Sequence, residues 1–362
     1  MRYLDEFKAP AAARELLREI AAARGGGTFM EVCGTHTMAI SKAGLRPLLE
    51  PAVRLVSGPG CPVCVTSDAD IDRAIAVAKE PGVVLATFGD MMKVPGSEGS
   101  LASASAGGAR VRVVYSPLEA LDMARDDPGT RVVFLGVGFE TTAPAVAATV
   151  LQARREGLDN FFVLPLHKLV PPALKALVAL DDFAVDGFVL PGHVSVIIGS
   201  DAYAFLPVEH SIPCVVAGFE VTDILQAILA LVRMRGEGPA LQVEYSRAVR
   251  PEGNRKALAV MEEVFEPCDA EWRGLFVIPG SGLALRPSYD DMDAGLWEVE
   301  LPERRERGAC RCGDVLCGRI RPTDCRLFAA QCTPDNPVGP CMVSSEGTCA
   351  SYFLYGDFGD DE

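Results

Sequence analysis

The densest group of chemically reactive side chains is a run of cysteines near the carboxyl end of the chain. Seven of the twelve cysteines fall between Cys310 and Cys349, with the spacing C-x-C-x4-C-x7-C-x6-C-x8-C-x7-C. The segment is also rich in glycine and proline, so an ordinary apolar core does not explain the cluster. In a chain without export signals, thiols at this density typically hold a metal or carry electrons.

The spacing of these thiols favours one kind of metal centre over another. Four thiolates are enough for a zinc site or for an iron–sulfur cubane. Zinc sites usually contain paired Cys-x-x-Cys elements, and residues 310–349 contain none. The wide, uneven spacing therefore favours an iron–sulfur cluster. Seven candidates exceed the four ligands needed, so two or three thiols are left over and could form a redox-active pair beside the cluster.

Two further thiol motifs lie far upstream, and each follows a short apolar run. Cys33 precedes a helical stretch, where the helix amino terminus favours a thiolate, and His36 could serve as a base or second ligand. The alternative is that Cys33 is a buried small residue and that His36 caps the helix. Cys61-Pro-Val-Cys64 is a Cys-x-x-Cys motif, an arrangement typical of redox and metal sites, or else two unrelated cysteines in a turn.

Apolar runs that alternate with helical stretches must position these thiols. The runs lie at residues 28–32, 53–56, 83–88, 111–115, 132–137, 161–164, 187–190 and 214–217. This alternation predicts parallel βαβ units and an α/β fold. We expect two small doubly wound parallel-sheet domains, 26–128 and 129–238, built from the first four and the last four runs. Residues 1–25 and 239–362 would form a third, irregular domain stabilised by an iron–sulfur cluster.

The expected first sheet would bring the upstream thiols together. Consecutive strand ends lie close, so Cys33, Cys61 and Cys64 would share the crevice at the carboxyl edge, where open α/β sheets bind ligands. Three soft ligands at an open site suit iron or zinc better than magnesium. Asp90 and Lys93 follow the third run and either line the same crevice or are solvated loop charges.

Two motifs of the second half also lie at expected strand ends. The segment GVGFETT at 136–142 lacks the third glycine of a dinucleotide-binding loop, which argues against a Rossmann cofactor site. Its Glu140 could face across to the first domain. His193 ends another run; such a histidine is more often structural or capping than catalytic, although a crevice position favours a chemical role.

Composition excludes several classes of partner. A net charge of −15 would repel a phosphate backbone, so we expect no nucleic acid ligand. The chain has no run of 18 apolar residues, and residues 1–8 lack the apolar core of a signal peptide. We therefore expect a cytoplasmic protein that does not enter a membrane and whose thiols are reduced.

The motifs taken together resemble the HypD family of [NiFe] hydrogenase maturation factors. The similarity runs nearly from end to end and is carried by specific segments. They are FMEVCGTHTM at 29–38, SGPGCPVCVT at 57–66, TFGDMMKVPGS at 87–97, GFETTAP at 138–144, LPGHVS at 190–195 and the tail from Cys332 to Cys349.

The resemblance implies an assembly scaffold rather than a metabolic enzyme. Members of this family bind a small HypC-type chaperone, and an iron atom held on the complex acquires two cyanides and one carbon monoxide. A HypE-type protein donates the cyanide. The finished Fe(CN)2CO unit passes to the hydrogenase. By similarity, Cys33, Cys61 and Cys64 match the iron-site cysteines, with Cys33 as the first choice of direct ligand. We expect a monomer that works in a hetero-complex.

The resemblance also implies a [4Fe-4S] cluster in the tail. By position, Cys310, Cys325, Cys332 and Cys349 are the expected ligands, and Cys312 and Cys341 the adjacent redox pair. Cys317 is extra to the family pattern, so another ligand set stays open. Electrons would pass from the cluster through Cys312/Cys341 and Cys61/Cys64 to iron at Cys33, with His36 as a proton donor.

Two rival functions fit the same thiols. One is an iron–sulfur-dependent dithiol/disulfide reductase, which would use Cys61 and Cys64 on an external substrate. The other is a zinc-binding interaction protein. Infrared bands of bound cyanide and carbon monoxide favour the scaffold, whereas zinc without iron or acid-labile sulfide would favour the zinc protein.

Overall fold

The computed structural model describes residues 10–23, 25–303 and 310–356. The sequence predicts eight strands, and all eight are present within these residues; the three that follow were not predicted. Residues 1–8, in which we saw no signal peptide, lie outside the described residues. The strands are β1 (Gly27–Glu31), β2 (Val53–Ser57), β3 (Val83–Thr87), β4 (Val111–Val113), β5 (Arg131–Gly136), β6 (Phe161–Pro165), β7 (Gly187–Pro191), β8 (Cys214–Ala217), β9 (Leu241–Val243), β10 (Phe265–Glu271) and β11 (Val277–Leu285).

Helices separate the strands, and local sequence sets where several of them begin. Ser67 caps a helix through a capping box with Asp70, and the Asn254 side chain accepts hydrogen bonds from two amides of the helix after it. The α-helices are α1 (Pro10–Ala22), α2 (Gly34–Lys42), α3 (Leu45–Leu49), α4 (Pro62–Val65), α5 (Asp68–Lys79), α6 (Leu101–Ala106), α7 (Pro117–Asp126), α8 (Ala143–Glu156), α9 (Val170–Val178), α10 (Gly192–Ile198), α11 (Phe205–His210), α12 (Val221–Glu237), α13 (Arg255–Val264), α14 (Cys312–Leu316) and α15 (Thr348–Tyr355). Short 3-10 helices span Gly89–Lys93, Asp201–Tyr203, Pro287–Met292, Ala294–Leu296, Pro322–Asp324 and Pro340–Met342.

The strands form two parallel sheets and one antiparallel hairpin. The first sheet has the order β2-β1-β7-β8-β9 and the second the order β4-β3-β5-β6. The pairings described within both sheets are parallel, whereas β10 and β11 pair antiparallel. The predicted α/β class with two parallel sheets is confirmed.

The expected grouping of the strands is wrong. We assigned the first four strands to one sheet and the next four to the other, but the chain moves between the sheets. It leaves the first sheet after β2, builds the whole second sheet, and returns with β7 beside β1, where Phe29 pairs with Gly187. β1 therefore pairs with a strand on each edge, and full burial of Phe29 and Met30, which point to opposite faces, shows that both faces of the sheet are covered there. The division at residue 128 therefore does not separate the sheets.

The carboxyl-terminal part is less irregular than expected. β10 and β11 form a hairpin, and α15 packs against α2 while the 3-10 helix Pro340–Met342 packs against α4. Cys332, Met342 and Ala350 form a small buried cluster of their own. The described tail residues thus add a minor core and rest mainly on helices of the first sheet.

One apolar cluster joins the two sheets. It contains Leu85 of β3 and Leu135 of β5 from the second sheet, and Phe188 and Leu190 of β7 from the first. Such a shared core fixes how the two sheets pack, because each buried side chain loses contacts if they separate. Within the described residues, no helix combines the length and hydropathy needed to span a bilayer.

Removal of the Phe29 side chain tests the packing of the first sheet. Phe29 is fully buried, so Phe29→Ala should lower the free energy of unfolding by about 3–5 kcal/mol, measured by urea denaturation with circular dichroism. Val208 is 79% exposed, and Val208→Ala should change this free energy by less than about 0.5 kcal/mol. Similar losses for both variants would contradict the packing described.

Candidate thiol and metal centre

Two neighbouring strand ends carry the upstream thiols. Cys33 is the N-cap residue of α2, just after β1, and Cys61 is the N-cap residue of α4, just after β2. The amide of Gly34 donates a 2.9 Å hydrogen bond to the carbonyl of Gly60. A Cβ atom on Gly60 would lie only 2.1 Å from the Cys33 nitrogen, so glycine is required for this approach. The strand pairing therefore places the two cysteine-bearing turns in contact.

A buried polar group stabilises the strand ends beneath the thiols. Glu31 of β1 is fully buried and accepts hydrogen bonds from Ser57 of β2 at 2.6 Å and from Arg46 of α3 at 2.8 Å. Burial raises the pKa of Glu31, while the Arg46 charge acts against that rise. The carboxylate thus ties β1, β2 and α3 together two residues before Cys33.

The environment of the Cys33 thiol favours its protonated form. Burial raises its pKa to about 11, although the amides of His36 and Thr35 at the start of α2 act to lower it. The expectation that the helix amino terminus would favour a free thiolate is therefore wrong for the metal-free thiol, since desolvation outweighs the amides. A soft metal that binds here would have to displace the proton.

His36 is buried and neutral. Its Nε2 donates a 2.8 Å hydrogen bond to the carbonyl of Gly218, and its ring stacks on Phe219 with 4.8 Å between centroids. Burial lowers its pKa to about 4. Because the Nε2 proton is engaged, the buried Nδ1 is the acceptor, and it has no hydrogen-bond partner. The alternative that His36 caps α2 is not observed, since Cys33 holds the N-cap position.

Residues from the second half of the chain complete the surroundings of Cys33. Phe219, just after β8, lies between His36 and the exposed His193, whose ring centroid is 3.9 Å away. Burial lowers the pKa of His193, and a nearby carboxylate, Glu346, opposes this shift. Three parallel strands, β1, β7 and β8, thus present rings and a thiol at one carboxyl edge.

The tail reaches this edge through Glu346. Thr35 donates a 2.8 Å hydrogen bond to the Glu346 carboxylate, across 311 positions of sequence. A Cβ on Gly34 would lie 2.8 Å from the Glu346 Cβ, so the tail backbone sits directly on the start of α2. The Glu346 charge also contributes to the raised pKa of Cys33, after burial.

Thiols from the two ends of the chain lie close to one another in series. Cys64 is fully buried, and the neighbouring thiols of Cys341 and Cys61 both influence its pKa. Its Sγ lies 4.0 Å from the carbonyl oxygen of Pro340. Cys341 lies in turn near Cys312 and Cys349, and Cys312 lies near Cys310, since Cys312 and Cys349 both influence the pKa of Cys341, Cys312 influences that of Cys310, and all four thiols line one cavity. Burial raises the pKa of Cys64 well above its ordinary value.

Six of the seven tail thiols line one cavity, the tail cavity. Within the described residues, no three cysteine, histidine or carboxylate side chains stand in metal-ligand geometry. Six thiols nevertheless line this cavity, and a Cβ on Gly339 would lie 2.5 Å from the Cys310 sulfur. Cys317 does not line it and lies instead in the core with Met30 and Val56. The lining thiols are Cys310, Cys312, Cys325, Cys332, Cys341 and Cys349.

Other expected site residues lie apart from this centre. Asp90 and Lys93 are exposed at the end of β3 in the second sheet, which supports the alternative of solvated loop charges. Glu140 is buried, accepts a 2.9 Å hydrogen bond from the Val170 amide, and leaves Oε2 without a partner. The roles of Phe219 and Glu346 were missed. The strand-end rule applied to β8 could have found Phe219, but no local signal marks Glu346.

The sequence comparisons agree with this thiol-rich architecture. The HypD family model, described as "Hydrogenase formation hypA family", matches residues 11–356. The chain belongs to the HypD family. A hydrogenase maturation factor HypD of Azotobacter vinelandii is 47% identical over 98% of this chain and 97% of its own length. Those of Rhodobacter capsulatus and Escherichia coli K12 are 46% and 43% identical, each over 98% of both chains.

Membership of the HypD family gives the chain a role in hydrogenase maturation. The match spans both sheets, the hairpin and the tail, so the segments that carry the thiols are all included. The relatives' names do not state which residues act or what is bound. Those assignments must come from the chemistry of the site.

Glu140 provides a pH-dependent test of the interior of this HypD-family chain. Burial raises its pKa from 4.5 to about 7, so the folded chain keeps the proton that the unfolded chain releases above pH 4.5. Stability from this group is therefore lost as pH rises from 4.5 through about 7. Relative to wild type, Glu140→Gln should gain about 3 kcal/mol of unfolding free energy across this window and stay level above it.

Urea denaturation at a series of pH values measures this difference. Burial lowers the pKa values of His36 and His167, so their contribution to the free energy of unfolding increases as pH rises. Both proteins contain these histidines, so the difference between variant and wild type cancels their contribution. Glu266→Gln, at a carboxylate whose side chain is 44% exposed, is the control and should show no such trend. A pH-independent difference for Glu140→Gln would contradict the raised pKa.

Proposed function

We propose that this maturation factor is the scaffold on which the Fe(CN)2CO unit of [NiFe] hydrogenase is assembled. The observation that supports this most directly is the series of neighbouring thiols from Cys61 and Cys64, through Cys341, to Cys312, brought together where α4 packs against the 3-10 helix Pro340–Met342. A scaffold for iron ligation needs soft ligands with open positions beside them, together with a means of keeping the metal reduced. The thiols at the carboxyl edge of the first sheet and those of the tail have the chemistry for these two tasks.

Iron enters this account as cargo, held first by Cys33. Cyanide and carbon monoxide bind low-spin ferrous iron, and a thiolate can hold that iron while other positions remain open. Cys33 is largely buried, so iron binding must release its proton and replace the hydration of the metal. Cys61 and Cys64 are the other proposed ligands, because their turn contacts the Cys33 turn through Gly60.

His36 is proposed as a proton acceptor rather than the donor we first expected. Its Nε2 proton is already donated to Gly218, and its neutral ring leaves only the Nδ1 lone pair for chemistry. With a pKa of about 4, the ring is unprotonated at neutral pH. His36 is thus available to accept a proton from a thiol or ligand that iron binding has made acidic.

The tail cavity fits a [4Fe-4S] cluster by its donor set. Cys310, Cys325, Cys332 and Cys349 line it and are the proposed ligands, and Gly339 leaves room beside Cys310. When bound, such a cluster supplies one-electron chemistry. The thiols that remain, Cys312 and Cys341, form the proposed redox pair. Oxidation of the pair to a disulfide releases two protons and two electrons, and reduction reverses this.

The proposed partners follow from the family resemblance. A HypC-type chaperone would share the iron, and a HypE-type protein would donate cyanide. The edge that carries Cys33 also bears the exposed His193, so a partner that contributes an iron ligand could approach there. We propose that the chain works in the cytoplasm as a monomer within this complex.

An iron–sulfur-dependent dithiol/disulfide reductase remains the second candidate, because Cys64 lies beside Cys341 and its Sγ is 4.0 Å from the carbonyl oxygen of the preceding Pro340. A thiolate at one position could attack a disulfide that contains the other, which is the geometry of thiol exchange. Such an enzyme would pass two electrons from an external donor, by way of the iron–sulfur cluster, to an external disulfide. Turnover of a disulfide substrate by cluster-containing Cys33→Ala protein, which lacks the proposed iron ligand, would favour it over the scaffold.

Loss of the Cys33 sulfur tests the iron site. Cys33→Ala should abolish the infrared bands of bound cyanide and carbon monoxide in protein co-expressed with its partners and purified without oxygen. The reason is that no other thiol occupies the end of β1. Cys268→Ala, at a partly exposed cysteine of the hairpin, is the matched control and should retain the bands. Undiminished bands in Cys33→Ala would rule out the ligand role.

Metal analysis of two tail variants tests the cluster site. Cys332→Ser removes a cavity-lining thiol and should lower both iron and acid-labile sulfide, since a cubane needs four sulfur ligands. Cys317→Ser alters a thiol outside the cavity and should leave both unchanged. Zinc in place of iron, or equal losses in the two variants, would count against the assignment.

A further inference from the structure

The turn of the β10–β11 hairpin lies between the upstream thiols of Cys61 and Cys64 and the thiols of the tail cavity. Trp272 forms an antiparallel bridge with Thr66, and the Arg273 amide donates a 2.9 Å hydrogen bond to the carbonyl of Val65. Val65 and Thr66 directly follow Cys64. On its other side, the turn abuts the start of α14, where Cys312 lies. One short turn therefore contacts the backbone beside a thiol of each group.

Buried interactions hold this turn rigidly. The Trp272 indole is fully buried, donates a 2.8 Å hydrogen bond to Ser281, and stacks on Phe139 at 5.9 Å between centroids. Arg273 is only 5% exposed; it forms an ion pair with Asp68 of α5 and donates a hydrogen bond to the Pro95 carbonyl. Loss of one partner of a buried ion pair is costly, so the turn cannot easily shift away from α5.

Two glycines allow the turn to touch α14. Gly274 has φ of +73°, and a Cβ there would lie 2.7 Å from the Gly313 nitrogen and 3.1 Å from the Cys312 sulfur. A Cβ on Gly313 would lie 1.9 Å from the Gly274 carbonyl oxygen. Neither backbone can move aside cheaply, so any side chain at these positions must displace the start of α14 and with it Cys312.

We infer that Arg273 and Gly274 are positioning residues that set where Cys312 stands relative to Cys341 and, through Cys341, to Cys64. The inference rests on the proposed function in one respect, since it takes Cys312 and Cys341 to be an exchanging pair. Arg273 holds the turn against the segment after Cys64. Gly274 places the same turn against the backbone beside Cys312, so the position of the turn determines the position of Cys312. The hairpin thus acts as a spacer between the two thiol groups and touches neither substrate nor iron.

The equilibrium constant for disulfide formation within a pair of thiols depends on how the two sulfurs are placed. When Cys312 and Cys341 join, the two thiols lose two protons and two electrons, and glutathione disulfide takes them up to give two glutathione molecules. The equilibrium at a fixed glutathione ratio gives the effective concentration of one thiol at the other. That quantity falls steeply when the sulfurs are displaced, whereas overall stability alone does not determine it.

The full chain is purified without oxygen and equilibrated in glutathione buffers. The reaction is then quenched with acid, the remaining thiols are alkylated, and the disulfides are identified by peptide mass spectrometry. Gly274→Ala and Arg273→Gln should each lower the effective concentration of the Cys312–Cys341 pair by about tenfold. Arg273→Lys should restore part of the loss, because it keeps the charge beside Asp68. Arg286→Gln alters the far end of the same hairpin and should have no effect.

The Cys61–Cys64 pair in the same samples is the internal reference. The effective concentration of this pair should be unchanged within about twofold, since the spacing of its two thiols is set by α4 and its N-cap residue. The inference would be overturned if the effective concentrations of both pairs changed equally, or if that of the Cys312–Cys341 pair changed in neither variant. If Gly274→Ala does not fold by circular dichroism, Arg273→Gln alone decides. Failure of wild type to form the Cys312–Cys341 pair would instead refute the dithiol part of the proposed function.

Discussion

The packing of α4 against the 3-10 helix Pro340–Met342, which brings Cys64 close to Cys341, is the interaction on which the rest of the site depends. It joins a helix of the first sheet to a segment 277 positions later in the chain, and both thiols are almost completely buried. Burial raises the pKa of Cys64, so the metal-free thiol carries its proton and imposes no unpaired charge on the interior. The Glu346 contact with α2 provides a second attachment of the same tail. Together they place the tail thiols against the strand ends that carry Cys33 and Cys61.

The order of strands explains why this arrangement needs the whole chain. Because β1 lies between β2 and β7, its carboxyl end is bordered by the Cys61 turn on one side and by the His193 turn on the other. Phe219 follows β8, the next strand, and stacks on both histidines. The second sheet supports the site through the shared core, and the hairpin turn supports it through Trp272 and Arg273. No single sheet contains the site.

The sequence predicted local features well and long-range neighbours poorly. All eight predicted strands exist because short buried apolar runs closed by turns are a local signal, and Cys33 and Cys61 lie at strand ends as expected. The pairing of β1 with β7 is decided by packing between distant segments, which periodicity does not encode. β10 was missed because it is only partly buried and contains Glu266, Pro267 and Asp269. The same limit hid Glu346, whose partner lies 311 positions away.

The most direct test of this account is a disulfide trap between Cys64 and Cys341. A Cys61→Ser, Cys312→Ser double variant removes one neighbouring thiol from each partner and retains Cys349, the proposed cluster ligand that also lies near Cys341. The protein is treated with diamide, which accepts the two electrons, and the peptides are mapped by mass spectrometry. The account predicts a Cys64–Cys341 disulfide in the folded protein that does not form when the protein is first unfolded in urea. If Cys64 stays reduced in the folded protein, or pairs equally in urea, the two thiol groups do not meet and the account fails.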